Sequence, residues 1–264
     1  MCITLGGTLM SDMTFNRVEK KYILNKTQYE NVRTYLDNSI SHDNESLSFH
    51  ETYSISNIYY DTEDNILIKK SVSKPKFKEK LRLRAYGDVS KDSVIFLELK
   101  KKINGYVNKR RTKISLKDVD DLIKYQELPD IEDYHNEQVL KEILYFTKQY
   151  KLKPSLYLYY EREVYSTDDK KGLRLTFDKN ITTRRYSVDL TKGHNGKHLL
   201  NDDYYVLEIK TNQNMPYWLN QLLSEFKIYS TSFSKYGTEF YNYLQNEESG
   251  DNSKCINPYL ECLK

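Results

Sequence analysis

Long apolar runs are absent from this 264-residue chain, and none approaches the ~18 residues that a membrane-crossing helix needs. The first fourteen residues lack both the basic start and the apolar stretch of a secretory signal. Cysteine is scarce and odd in number, with Cys2, Cys255 and Cys262 at the two ends, which argues against a disulfide framework. Together these absences lead to the expectation of a reduced, soluble, cytoplasmic protein with no membrane span of its own. Net charge is small as well: 41 Lys and Arg against 38 Asp and Glu leave +3. That is little for a nucleic-acid binder, and no nucleic-acid fold signature appears. Apolar residues make up 38%, below the ~45–50% of a typical domain. Yet 25 tyrosines and nine phenylalanines exclude disorder over the whole length.

Internal repeats and long linkers are also missing, and a closed barrel of this length is commonly one domain. The expected boundaries are a flexible N-terminus over 1–13, one domain over 14–245 and a flexible tail over 246–264, where the polar run Asn246 to Ser253 has no periodicity. Familiar small motifs fail on spacing. Gly193-His194-Asn195-Gly196-Lys197 is too short for a phosphate-binding loop, and His198 stands where Ser or Thr belongs. It reads as a surface turn, and the His194/His198 pair lies in that turn rather than on a helix. The remaining histidines and the cysteines sit in no nucleophile or metal pattern.

Helices are few. Asn25 with Gln28 forms a start signal ahead of Tyr29, Val32 and Leu36. Others are expected after Ser115, over 136–149, from Pro216 through Trp218 to Phe226, and over 234–245. Strands fill most of the rest, at 15–23, 52–60, 78–86, 93–102, 106–114, 155–166, 172–178, 181–188 and 203–211. Asn104-Gly105 between two of them is a hairpin signal.

The alternation within these strands is the informative feature. In Lys80-Leu81-Arg82-Leu83-Arg84 the cations share one face and the leucines the other. Ile95 to Lys100, Leu173 to Asp178 and Leu207 to Lys210 repeat the pattern, and Arg17, Glu19 and Lys21 open it. One explanation is the wet side of a half-covered sheet. Against it, the polar faces are rich in Arg and Lys, and like charges on paired strands repel. The amphipathic helices, moreover, need the apolar strand faces as partners. The sheet is therefore expected to be inside out: α+β, an antiparallel eight-stranded barrel with a cationic lumen, wrapped by helices. A cationic lumen is costly unless an anion fills it. A polyphosphate-like ligand suits Arg forks and Lys ammoniums. Glu19, Glu98 and Glu208 would then hold Mn2+ or Mg2+ against the phosphates.

Eight segments carry a resemblance. They are Arg17-Val18-Glu19-Lys20-Lys21-Tyr22, Asn57 to Thr62, Lys80 to Tyr86, Phe96 to Lys100, Tyr160-Glu161-Arg162, Leu173 to Asp178, Leu207 to Lys210 and Ser234-Lys235-Tyr236-Gly237. In that order they resemble the VTC domain, the polyphosphate polymerase domain of the triphosphate tunnel metalloenzyme (CYTH-like) superfamily. The resemblance implies a helix-wrapped antiparallel tunnel and ATP-dependent polyphosphate synthesis, with ATP and inorganic polyphosphate as partners and ADP as product. By motif match, Lys21, Lys80, Arg82, Arg84, Lys100, Arg162, Arg174 and Lys235 would bind phosphates and Glu208 the metal. Lys80, Arg82, Arg84, Arg162, Arg174 and Glu208 form the catalytic set. Lys109 is chosen from its basic cluster, with Arg111 a competitor. Tyr160 is a candidate hydrogen-bond donor to phosphate, and Glu19 and Glu98 are further metal ligands. The product is expected to slide through the tunnel.

Triphosphatase and cyclase branches of the superfamily often begin Glu-x-Glu-x-Lys, and here the first position is Arg17. Hydrolysis needs an oriented, partly deprotonated water, whereas a polyphosphate end is already an anionic nucleophile, so Arg17 tilts the choice toward polymerase. The alternatives are a metal-dependent triphosphatase of the same fold and a non-catalytic polyanion-binding module. The basic stretch Lys74 to Arg84, with Phe77 and Tyr86, is the feature that would serve a nucleic acid.

Overall fold

Alternating strands build a single antiparallel sheet, seen in a computed structural model that describes residues 18–41, 47–90, 93–129, 134–167, 172–212 and 214–249. The flexible N-terminus expected over 1–13, the tail from 250 onward and Arg17 lie outside the described residues. In chain order the first half contains β1 (Val18–Asn25), α1 (Lys26–Ser41), β2 (Leu47–Asp61), α2 (Ile66–Val72), β3 (Phe77–Tyr86), β4 (Val94–Ile103) and β5 (Tyr106–Ser115). Then come α3 (Leu116–Asp120), continued by one π-helical turn, and α4 (Tyr134–Gln149). The second half contains β6 (Lys153–Thr167), β7 (Arg174–Arg184), β8 (Lys197–His198), β9 (Tyr204–Thr211), α5 (Tyr217–Glu225), β10 (Ser230–Thr231) and α6 (Lys235–Ser249).

The sheet order is β10-β1-β9-β7-β6-β2-β3-β4-β5, with β8 added on β7. Eight strands are long and two are dipeptides. The expected closed eight-stranded barrel is thus seen as a curled sheet. Among the described residues no ladder joins β5 back to β1 or β10. The strands expected at 172–178 and 181–188 are one element, β7, which bends at Asn180 (φ 52°) opposite a register shift in β6. The segment that looked like a break is therefore a bulge. α6 runs to Ser249, four residues past the expected end of the domain.

Local signals explain the helix starts. The Gln28 amide donates to Asn25 Oδ1 at 2.9 Å and the Asn25 amide to Gln28 Oε1 at 3.1 Å, a reciprocal cap. Ser115 Oγ accepts from the Asp118 amide at 3.1 Å to start α3. Pro216 stands immediately before α5 rather than inside its first turn. The unforeseen α2 is begun from a strand end: buried Asp61 accepts the Leu67 and Ile68 amides at 2.8 and 2.9 Å and the Tyr236 hydroxyl at 3.0 Å. Among the described residues, no helix is long and apolar enough to cross a membrane.

Two apolar layers lie outside the sheet and one lies within its curl. Leu140, Ile143 and Phe146 of α4 pack with Leu81, Leu83, Leu97 and Leu99. Tyr29, Val32 and Leu36 of α1 join Leu219, Leu222 and Leu223 of α5 over Leu175, Phe177, Leu207 and Ile209. These are the leucine faces left by the alternating cations, so the inside-out arrangement is what is found. α6 departs from it. Its Tyr236 and Phe240 pack with Ile23, Ile55, Leu158 and Val206, residues that alternate in phase with the charged face of their strands. That apolar cluster occupies one section of the interior, and the charged face lines the rest.

Candidate active site

Curling brings the charged faces of β1, β9, β6, β2, β3 and β4 around one cavity of about 200 Å³, closed on one side by the start of α6. Its cations are Lys21, Lys80, Arg82, Arg84, Lys100, Arg162, Lys210 and Lys235, and its carboxylates are Glu19, Glu98 and Glu208. Eight positive groups thus face three negative ones. Tyr59, Tyr160, Ser234 and Tyr236 complete the lining.

On the β1–β9 side, cation and acid form a checkerboard set by register. Lys21 lies opposite Glu208, and Glu19 opposite Lys210. Lys21 Nζ is 3.7 Å from Glu19 and 3.8 Å from Glu208, while Lys210 is 3.7 Å from Glu19 and in direct contact with Glu208. Burial alone pushes the Glu208 carboxyl up, but Lys210 and Lys21 outweigh it and bring it down to about 2. Behind this wall, Asp178 of β7 is fully buried. It takes both arms of Arg162 at 2.6 and 2.8 Å and also contacts Lys235. Burial opposes its ionisation, but these two cations hold it far below the usual carboxylate range.

The β2–β3–β4 side is arranged differently. Glu98, 1% exposed, receives Arg82 Nε at 2.6 Å, Lys109 at 2.7 Å and Arg111 at 3.4 Å. Burial is outweighed here by Arg82 and Arg84, and the carboxyl falls to about 2. Arg84 donates to the Asn57 side chain at 3.0 Å and to the Tyr160 hydroxyl at 3.2 Å, which leaves the Tyr160 proton free to donate. Lys80 lies opposite Lys100, which lies opposite Lys109. Among the described residues, Lys80, Lys100 and Arg84 have no carboxylate within 4.0 Å. Burial, with Lys78 and Lys100 nearby, brings the Lys80 ammonium down to about 8 despite the opposing pull of Tyr59. Tyr59 is driven up by burial, but Arg82 and Lys80 overcome that and lower it to about 8.

The structure therefore brings together eleven of the thirteen residues expected at the site. Lys109 and Arg174 are outside the lining. Lys109 is half exposed and reaches the cavity only through Glu98. Arg174 is exposed, opposite Lys210 in register, and donates to the Tyr53 hydroxyl at 3.4 Å. Tyr59, Lys210, Ser234 and Tyr236 in the lining, and Asp178 beneath Arg162 and Lys235, were not expected. Lys210 and Asp178 were visible as members of alternating faces, Lys210 two positions from Glu208 and Asp178 closing the Leu173 segment. Tyr59 and Tyr236 lay inside the quoted segments without a distinguishing signal.

The metal ligands expected from the sequence separate by environment. Glu19 and Glu208 share the same two lysines and face the open cavity, and buried Thr176 Oγ1, in register with Glu208, has no hydrogen-bond partner. Hard oxygens of this kind suit a divalent cation that completes its shell with phosphate oxygens. No group of three acidic, histidine or cysteine side chains forms a ready-made cage among the described residues. Glu98 Oε1 is likewise without a hydrogen-bond partner, but Lys109 and Arg111 stand 2.7 and 3.4 Å from it and leave less room for a further cation.

An antiparallel sheet curled around inward-facing cations, with α1, α4 and α5 on its outer face, is the fold of the triphosphate-tunnel proteins. More particularly, the chain belongs to the VTC domain family, whose model matches residues 16–242. One solved structure supports the fold, and others are similar over most of their length. A protein from Hippeastrum, described as an adenylyl cyclase candidate with a dominant triphosphatase activity, is 16% identical, with 85% of this chain and 95% of that chain covered at a TM-score of 0.51. An adenylate cyclase candidate from Bacillus halodurans is 15% identical over 83% of this chain and 93% of that chain, at a TM-score of 0.46. The Mimivirus capping-enzyme triphosphatase is 12% identical over 79% and 87%, at 0.31. No curated protein matches the sequence.

Proposed function

We propose that this chain is an ATP-dependent polyphosphate polymerase. The carrying observation is the strong cation surplus of the cavity, eight cations against three carboxylates, two of which are poor bases. Glu98 and Glu208 are held near 2 by the cations around them, so neither is suited to take a proton from water. A nucleophile that is already anionic needs no such base. In the proposed reaction, a terminal oxygen of the growing chain attacks the γ-phosphorus of ATP. A new P–O bond forms, the bond to the β,γ-bridging oxygen breaks, and ADP leaves with that electron pair.

Lys80, Lys100 and Arg84, which have no carboxylate within 4.0 Å among the described residues, bind the non-bridging oxygens, and Arg82 and Arg162 orient them from fixed positions on Glu98 and Asp178. The Tyr160 hydroxyl donates from beside Arg84. Glu208 and Glu19 would hold Mn2+ or Mg2+, which would neutralise phosphate charge. Assistance is then chiefly positional and electrostatic, as is usual for phosphoryl transfer.

Hydrolysis is the rival, because the Hippeastrum protein, with the same fold, is described as a triphosphatase. Incubation of the purified protein with ATP and manganese separates the readings. Polymer on a polyphosphate-stained gel with matching ADP and little free phosphate is the expected outcome. Free phosphate without polymer would assign the triphosphatase. Absence of turnover with heat stabilisation by added polyphosphate would leave a binding module.

A further inference from the structure

Beyond Arg84 the inward face of the sheet changes from cations to aromatic rings. Tyr86 is the next residue of β3 on that face, about 7 Å along the strand, and Phe96 of β4 lies opposite Arg84 in register. Tyr53 of β2 lies opposite Arg162, and Arg111 of β5 opposite Glu98. None of these four side chains lines the cavity, yet each is paired with, or follows on its strand, a residue that does.

The four form one contiguous cluster. The Tyr53 and Tyr86 ring centres are 5.8 Å apart, as are those of Tyr86 and Phe96, which meet edge to face. The Arg111 guanidinium stands over Phe96 at 3.5 Å from the ring centre, with Glu98 at 3.4 Å and the Tyr86 hydroxyl at 3.5 Å to hold it. The cluster is open to solvent, with Tyr86 42% and the Arg111 side chain 35% exposed. Tyr59 and Tyr236, the tyrosines inside the cavity, are instead buried in the inner apolar cluster. A single exposed aromatic is ordinary surface. Here three rings and a guanidinium are fixed against one another at the rim of a cavity lined by cations. Such planes stack on a planar heterocycle, with each base worth ~1–3 kcal/mol and the guanidinium adding its own attraction for a π-face.

We infer that Tyr86, Phe96 and Arg111, with Tyr53 beside them, form a nucleobase-stacking site at the rim of the cavity, which takes the base of a nucleoside triphosphate whose phosphates lie on Arg84 and the cations past it. The inference rests on the polymerase reading for the identity of that nucleotide as ATP. The site itself concerns how a nucleotide is told from inorganic triphosphate. The strand step from Arg84 to Tyr86 leaves room for the sugar between bound phosphate and stacked base. Stacking uses a face that every base has, so the site selects for a base rather than among bases.

The test compares the full chain with its Tyr86→Leu, Tyr86→Phe and Tyr106→Leu variants, measuring affinity for inorganic triphosphate and for ATP whose β,γ-bridging oxygen is replaced by NH, which blocks turnover. The charge difference between the two ligands is common to every variant and cancels when ratios are compared. In Tyr86→Leu the ratio of nucleotide to triphosphate affinity should fall about tenfold, ~1.4 kcal/mol. Tyr86→Phe keeps the ring and should stay within about twofold of the wild type, ~0.4 kcal/mol. So should Tyr106→Leu, at an 82% exposed position where β5 begins. A ratio unchanged in Tyr86→Leu, or one that falls as far in Tyr86→Phe, overturns the site. A wild type that makes no polymer from ATP would instead remove the polymerase reading, while the affinity ratios still decide the stacking site. Melting curves check folding, and Arg111→Gln, which removes the guanidinium plane, should lower the same ratio if Tyr86→Leu does not fold.

Discussion

The two walls of the cavity are built from the same residue types and solve their electrostatics in opposite ways. On the wall of β1, β9, β7 and β6 with the start of α6, each cation that lines the cavity has an acid within reach: Lys21 and Lys210 share Glu19 and Glu208, and Arg162 and Lys235 share Asp178. On the wall of β2, β3 and β4, Glu98 is crowded by three cations, while Lys80, Lys100 and Arg84 have no carboxylate within 4.0 Å among the described residues. The first wall is complete in the free protein. The second is completed only by an anion. A ligand therefore contributes stability mainly through the second wall, and the first serves to hold geometry. Arg162 illustrates the division, since Asp178 fixes its guanidinium with two hydrogen bonds before any phosphate arrives.

The largest expected effect breaks the matched wall. Asp178→Asn leaves Arg162 and Lys235 with no counter-charge at a buried position. Removing one partner of such a network costs about 3–5 kcal/mol, read as a shifted midpoint in denaturant unfolding. Loss of the proposed polyphosphate synthesis should accompany it. A stability change below ~1 kcal/mol would mean that the two cations are satisfied elsewhere and that the matched wall is not a network.

The opposite sign is expected across the cavity. Lys80 is held at about 8 because its charge is disfavoured where it sits, so Lys80→Met should stabilise the free protein by about 1 kcal/mol, or ~2–4 °C in Tm. Synthesis should nonetheless fall at least about tenfold, the loss of ~1.4 kcal/mol of phosphate stabilisation. Calorimetry and a turnover assay on one preparation test both halves. A fall in Tm would show that the lysine is structural.

Titration sharpens the same contrast. An anion favours charged Lys80, so binding raises its proton affinity above the free value of about 8. Below that pH the group is charged in both states and affinity is flat. Above it, binding must take up a proton, and affinity falls by up to about tenfold per pH unit. Tyr59, also lowered to about 8, acts in the same direction by becoming an anion. The double variant Lys80→Arg/Tyr59→Phe should flatten the profile between pH 7 and 9, and a wild-type profile flat over that range would remove both groups from the binding event.

Much of this was legible in the chain because strand alternation sorts residues by face without knowledge of neighbours. Lys80, Arg82, Arg84, Glu98 and Lys100 could be placed inward together from two short segments. What the alternation could not supply was the partner across a strand or across the curl. Asp178 looks like the polar end of an apolar strand until Arg162 is beside it in register and Lys235, 57 residues on, closes over it. α6 has an evident apolar face, yet periodicity does not say which side of the sheet that face meets. Arg174 was assigned to the correct face, but distance along a strand from the cavity depends on how far the sheet curls, which pattern alone does not encode. The short α2 was hidden because its start signal, Asp61, belongs to a strand and is completed by Tyr236, 175 residues away.

The smallest expected effect tests whether inward and outward faces differ as sharply as the two walls do. Glu142 of α4 lies on the outer surface, 31% exposed, and binds Lys101 and Arg110. Exposed pairs of this kind contribute about 0–1 kcal/mol, and Glu79 remains 3.8 Å from Lys101 to absorb the change. Glu142→Gln should accordingly shift unfolding by less than ~1 kcal/mol and leave synthesis unaltered. It removes one carboxylate beside two cations, chemically the same operation as removing Asp178. If the two substitutions proved equal in cost, charge matching would be a property of the whole sheet. If they differ as expected, burial against the cavity is what turns an ordinary ion pair into a fixed part of the site.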